Sequence, residues 1–169
     1  MIWTGIGSRQ APESMLEFAR WCGYQINTKG DKLRSGGAKG MDTAFEIGFR
    51  SHGKYNGVLE IYRQKHHFIN EGKMFYNPDM LVRATALAES THPAWHACNQ
   101  YARDLLGRNP FQLLGPSLND SSDVILCWTI DGSDVGGTGN NIRLAKLRGI
   151  KMLNFWNEVD RDEAYNLLK

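Results

Sequence analysis

Two glycine-rich segments, Ser35-Gly36-Gly37-Ala38-Lys39-Gly40 and Gly136-Gly137-Thr138-Gly139, carry the strongest chemical signal in this 169-residue chain. Each lies between a strand-like run and a helix-like run. Glycine lets the main chain approach a ligand closely, and the unpaired N–H groups of a following helix's first turn attract anions. A phosphate-bearing ligand is the chemistry that fits. Gly7-Ser8-Arg9 follows a third strand-like run and adds a hydroxyl and a guanidinium. Arg9 suits a bidentate grip on phosphate, and Lys39 acts as a point charge. Ser8 and Thr138 supply hydroxyls from the first and last of these loops. Each glycine segment taken alone is equally explained by a tight turn.

Asp42 and Glu46 stand four apart at the start of a helix-like run, so they share a face. One of them could bind a ribose hydroxyl or act as a general acid or base. Carboxylates in a first turn also offset the helix dipole, which accounts for Asp42 without any ligand. Glu46 reads as a solvated or core-rim residue. His92 and His96 are likewise four apart, with Cys98 close by. Zinc needs three or four ligands, and the Glu of the metalloprotease helix is missing, so no metal is expected. Arg108-Asn109 precedes Pro110 at the end of a helical run, where a cation is favoured by the dipole.

These groups need a scaffold that brings them to one edge. Residues 1–5, 32–35, 57–62, 124–129 and 150–155 read as strands, the fourth being continuous and apolar, as in strands buried on both faces. Met15, Phe18, Ala19, Cys22 and Ile26 mark a helix from Pro12 to about residue 28. Met41, Ala44, Phe45, Gly48 and Phe49 mark another. Helices are also expected near 79–90, 93–106 and 160–168, and after the second glycine segment, stopped by Gly149. Alternating strands and helices predict an α/β fold: an open, mainly parallel sheet with helices on both faces. Ligands then collect outside the carboxyl ends of the strands, where strand order reverses. Residues 63–78 break the rhythm, as an ordered excursion over the ligand edge or a long surface connection. His66-His67 lies within it. The chain reads as one domain over 1–169 with a helical and loop excursion at about 63–122.

Composition narrows the partners. A net charge of +2 excludes a bulk basic nucleic-acid binder, so an anion site must be local. Three cysteines, Cys22, Cys98 and Cys127, without close spacing exclude a disulfide framework and read as core residues. With no apolar run of membrane length and no cleavable leader, no membrane partner is expected, and the cytoplasm is the expected location.

Gly7-Ser8-Arg9, the S-G-G-A-x-G-x-D run of Ser35 to Asp42, Arg108-Asn109 and Gly136 to Gly139 occur in an order that resembles the Rossmann core of DNA-processing protein A (DprA). More broadly the chain resembles the SLOG superfamily, which includes the Lonely Guy phosphoribohydrolases. The likeness spans about residues 1–155 and extends to short stand-alone DprA-like proteins carried by bacteriophages. It implies a Rossmann-like sheet whose glycine loops hold nucleotides or the phosphates of single-stranded DNA. Arg9, Ser35, Gly36, Gly37, Lys39 and Gly40 then take anion-binding positions, with Arg108 and Asn109 near the same pocket. It also implies a homodimer, and for a phage-borne chain a place in the host cytoplasm. The Lonely Guy enzymes use a glutamate shortly after their G-G-x-G-T loop. Here the stretch reads Gly136-Gly137-Thr138-Gly139-Asn140-Asn141-Ile142-Arg143, without it. The expected function is therefore binding of a nucleotide or nucleotide-derived ligand without a cofactor, as a sensor or sequestering protein. Single-stranded DNA binding in recombination and nucleotide N-glycosidase or hydrolase activity are the alternatives.

Overall fold

The structure, a computed structural model, describes residues 1–63, 68–70, 73–75 and 77–169. The chain runs β1 (Ile2–Gly7), α1 (Glu13–Thr28), β2 (Lys32–Ser35), α2 (Met41–Ser51) and β3 (Val58–Tyr62). Two short strands follow, β4 (Phe68–Asn70) and β5 (Lys73–Phe75), and then α3 (Pro78–Thr91). After a single 3-10 turn at Trp95–Ala97 come α4 (Gln100–Gly107) and α5 (Asn109–Leu114). The chain closes with β6 (Val124–Trp128), α6 (Gly136–Arg148), β7 (Lys151–Asn154) and α7 (Glu158–Leu168).

Five parallel strands lie in the order β3-β2-β1-β6-β7, with β4 and β5 added antiparallel at the β3 edge. This is an open α/β, Rossmann-like sheet. The chain moves outward from β1 through β2 to β3, then returns to the other side of β1 with β6. Strand order therefore reverses between β1 and β6, and the crevice lies outside their carboxyl ends. Helices cover both faces. On one, α1, α2 and α7 bury Cys22, Ile26, Phe45, Phe49 and Leu168 against Trp3, Leu33 and Leu126. On the other, α3, α5 and α6 bury Ala84, Phe111, Leu114 and Leu144 against Ile6, Ile125 and Cys127.

Local sequence explains most element ends. Asn77 caps α3, its Oδ1 accepting from the amides of Asp79 and Met80, and Pro78 occupies the first turn. Asn99 caps α4 in the same way. Gly149 ends α6 in the left-handed conformation, as its sequence position predicts. The α1–α2 contact has a different origin. A side chain at Gly48 would collide with the Arg20 carbonyl oxygen, and one at Gly23 with that of Phe45, so the two helices touch through bare backbone.

Three expectations are corrected. The segment expected as one helix over 93–106 is a 3-10 turn followed by α4, because Cys98 and Asn99 take extended conformations between them and Asn99 starts α4 as its cap. The α5 helix was not foreseen: all six of its residues are buried, so it shows no amphipathic period. Cys98 is half-buried rather than core, its Sγ 3.9 Å from the His92 ring. Of the 63–78 segment, 68–70 and 73–75 extend the sheet, while His66-His67 lies outside the described residues. No helix among the described residues is long and apolar enough to cross a membrane.

The charges that make β2 a weak strand by composition are neutralised inside the fold. Arg34 is fully buried, its Nε donating to Glu60 Oε2 at 2.8 Å and its Nη2 to Asp120 Oδ2 at 2.5 Å. Tyr62 donates to the same Glu60 oxygen at 2.8 Å, and Lys32 pairs with Oε1 at 3.0 Å. Burial alone would raise the Glu60 pKa, but Arg34 and these hydrogen bonds hold it below the ordinary carboxylate value. Arg34→Met should lower unfolding free energy by about 3–5 kcal/mol, because Glu60 would stay buried without its main counter-charge. Urea unfolding at pH 7 measures this, and a loss under 1 kcal/mol would mean that the network behaves as a surface pair.

Candidate functional site

The loops after β1 and β6 and the start of α6 enclose a cleft of about 480 Å³, closed on its far side by α4 and α5. Of the residues singled out from sequence, Gly7, Ser8, Arg9, Asp42, Arg108, Asn109, Gly136, Gly137 and Thr138 line it. From the first glycine segment only Ala38 does so. The two glycine segments thus share one cleft but contribute unequally.

The first segment is largely occupied with holding the fold together. Ser35 is buried, and its hydroxyl donates to Glu46 Oε1 at 2.7 Å. Glu46 is itself 2% exposed, which corrects its assignment as a solvated or rim residue. A Cβ on Gly36 would come within 2.6 Å of Asp42 Oδ2 and 2.7 Å of Arg108 Nη1. Glycine there lets both charges reach the main chain. Gly40, at φ +90, packs against the β1 loop, where a Cβ would lie 2.7 Å from Arg9 Cα. Gly37 abuts Arg63, and Lys39 is exposed away from the cleft wall.

Gly136 to Gly139 form the first turn of α6 rather than a loop preceding it. Gly139 is fixed: its amide donates to the Val135 carbonyl, and a side chain there would strike Asp134. Gly136 and Gly137 instead border open space, with no atom within 4 Å of a Cβ built on either. The amides of Gly136, Gly137 and Thr138 have no hydrogen-bond partner among the described residues. Such a helix start is electropositive. Arg9, exposed on the loop after β1, pairs with no carboxylate among the described residues. The Ser8 hydroxyl accepts from the Gln10 amide at 3.1 Å and keeps its proton for another acceptor. A second character appears at the mouth, where exposed Tyr101, Ile130 and Val135 make an apolar rim with half-buried Leu105.

Asp42 is the one carboxylic acid among the described residues that line the cleft. Its Oδ1 accepts from the Gly7 amide at 3.0 Å, and Oδ2 from the amides of Gly36 at 3.2 Å and Ala38 at 3.4 Å. Burial pushes its pKa up to about 6, against the opposing charge of Arg108. Arg108 is 6% exposed, donating to the carbonyls of Gly36 and Tyr62 and, at 3.3 Å, to that of Leu105. Sequence gave Arg108 a place at a helix end, and the structure sets it between α4 and α5 with its guanidinium turned onto the β2 and β3 ends. Asn109 Nδ2 reaches across to the Gly137 carbonyl at 3.1 Å. Gln112 and Asn141, both buried in the cleft wall, escaped the sequence reading: Gln112 lies in the unforeseen α5, and Asn141 is a polar residue inside a helical run, which looks solvent-facing. Among the described residues no three of His, Cys, Asp or Glu gather as metal ligands; His92 Nδ1 instead accepts from the Ala94 amide.

Because folded Asp42 holds its proton more tightly than the unfolded chain does, its contribution to stability falls as pH rises from about 4 through about 6. The shift corresponds to about 3 kcal/mol lost by pH 7. A carbon-13 titration of the Asp42 carboxyl should give a midpoint near 6, moving higher in Arg108→Met. A midpoint near 4 would mean a solvated carboxylate.

No protein-family model, curated protein or solved structure matches this chain.

Proposed function

We propose that the chain binds a nucleotide or nucleotide-derived ligand in this cleft, with phosphate at the start of α6. The observation that carries the proposal is that Gly136, Gly137 and Thr138, whose amides have no partner among the described residues, line the same cleft as Arg9 at the strand-order reversal. Amide N–H groups and a guanidinium together match the oxygens of a phosphate monoester. The apolar rim of Tyr101, Leu105, Ile130 and Val135 suits a nucleobase, which a bare phosphate would not use. At about 480 Å³ the cleft has the size of a small-molecule site, which favours a mononucleotide over an extended DNA strand. The resemblance to SLOG and DprA-like proteins agrees with this choice. Binding and sensing or sequestration follow more directly than cleavage, because both Asp42 oxygens are already engaged by main-chain amides.

Calorimetric titration with the four common ribonucleoside 5′-monophosphates tests the proposal. Arg9→Ala should weaken the tightest of them by about tenfold, and exposed Lys39→Ala should change it less. Gly137→Ala should raise thermal stability slightly, by about 0.5 kcal/mol of helix propensity, while weakening binding through the added methyl. Unchanged affinity in both Arg9→Ala and Gly137→Ala would overturn the assignment. Affinity that grows with oligonucleotide length and falls steeply with salt would transfer it to single-stranded DNA.

A further inference from the structure

The cleft wall between α5 and α6 carries a chain of side-chain amides whose direction is fixed at one end. Asn109 Nδ2 donates to the Gly137 carbonyl, an oxygen that can only accept. Asn109 Oδ1 therefore receives Gln112 Nε2, at 3.4 Å. Gln112 Oε1 in turn receives Asn141 Nδ2, at 2.8 Å. Each orientation follows from the one before, so the oxygen and nitrogen positions are set by the network. What remains at the end is the Asn141 carbonyl oxygen. Asn141 is 2% exposed and lines the cleft, yet its Oδ1 has no partner among the described residues.

Such an atom is uncommon, since nearly all buried polar groups find a partner. The neighbouring Asn140 shows that this helix can satisfy an asparagine: its Nδ2 donates to the Ala88 carbonyl, and its Oδ1 accepts from Thr91 Oγ1. His52 Nδ1 and Arg103 Nε are also unpartnered, but neither residue lines the cleft. Among the described residues, Asn141 is the one with such an unpartnered buried side-chain atom that also lines the candidate ligand site.

We propose that Asn141 Oδ1 accepts a hydrogen bond from a sugar hydroxyl of the ligand, a proposal that rests on the phosphate assignment above. Asn141 lies three residues beyond Thr138, about 4.5 Å along the helix axis. In a nucleoside 5′-phosphate the sugar hydroxyls are the donors separated from phosphate by a step of that order. Amino groups of the base lie farther away, across the glycosidic bond. An acceptor-only contact also selects: a ligand without the hydroxyl leaves the carbonyl oxygen unpaired.

The test titrates the full chain, wild type and Asn141→Ala, with whichever ribonucleoside 5′-monophosphate binds tightest and with its 2′,3′-dideoxy analogue. Wild type should bind the dideoxy analogue about tenfold more weakly, and Asn141→Ala should bind both alike. Should Asn141→Ala lose its thermal transition, the near-isosteric Asn141→Leu is titrated in its place. Equal affinities in wild type, or discrimination that persists in the variant, would overturn the role of Asn141 and leave the phosphate site standing. Absence of binding by every monophosphate to wild type would overturn both.

Discussion

A single carboxylate ties together the turns that any ligand at this crevice would meet. The loops after β1 and β2 bend sharply at the sheet edge and turn three amides inward, and Asp42 accepts from all of them. Without an acceptor those amides would be buried and unpaired, which is more costly than a typical net hydrogen bond is favourable. The solution brings a negative charge out of water, and Arg108 offsets it from the other side while binding the carbonyls of Gly36 and Tyr62. One charge couple thereby joins the ends of three adjacent strands. Its partners are arranged so closely that Gly36 has no space for a methyl group.

That constraint changes the meaning of the most conspicuous motif. Ser35, Gly36, Gly40 and Asp42 look like ligand contacts, yet their near neighbours are Glu46, Arg108 and the β1 loop. Ser35, Gly36 and Gly40 form the support behind the cleft, and Asp42 is the member of the motif that also lines it. The groups left open along the cleft are the Ser8 hydroxyl, Arg9 and the first amides of α6. Glycine therefore serves two physical ends in one molecule, close packing in the first segment and an uncovered main chain in the second.

Much of the scaffold is legible in the sequence because periodicity reports burial. The apolar run in β6, the stripe of α1 and the Gly149 stop need no tertiary knowledge. Arg34 is different, since its burial depends on Glu60 and Asp120, which lie 26 and 86 residues away. The α5 helix is hidden for the opposite reason: buried on every side, it offers no contrast between faces. At the site, charge and glycine are visible by residue type, so Ser8, Arg9 and Gly136 to Thr138 stand out. Gln112 and Asn141 do not, because their roles arise from bonds between separate helices.

The backbone contact of α1 with α2 bears on which parts of the molecule can adapt. With Gly48 seated on the Arg20 carbonyl and Gly23 on that of Phe45, neither helix can slide without a main-chain collision. The α2 helix that carries Asp42 is consequently seated on α1 through main chain. Room for the girth of an occupant would more readily come from the facing side, where side chains of α5 bond to α6. Selectivity by shape would thus be tuned by residues on those two helices, with the opposite half as the anvil.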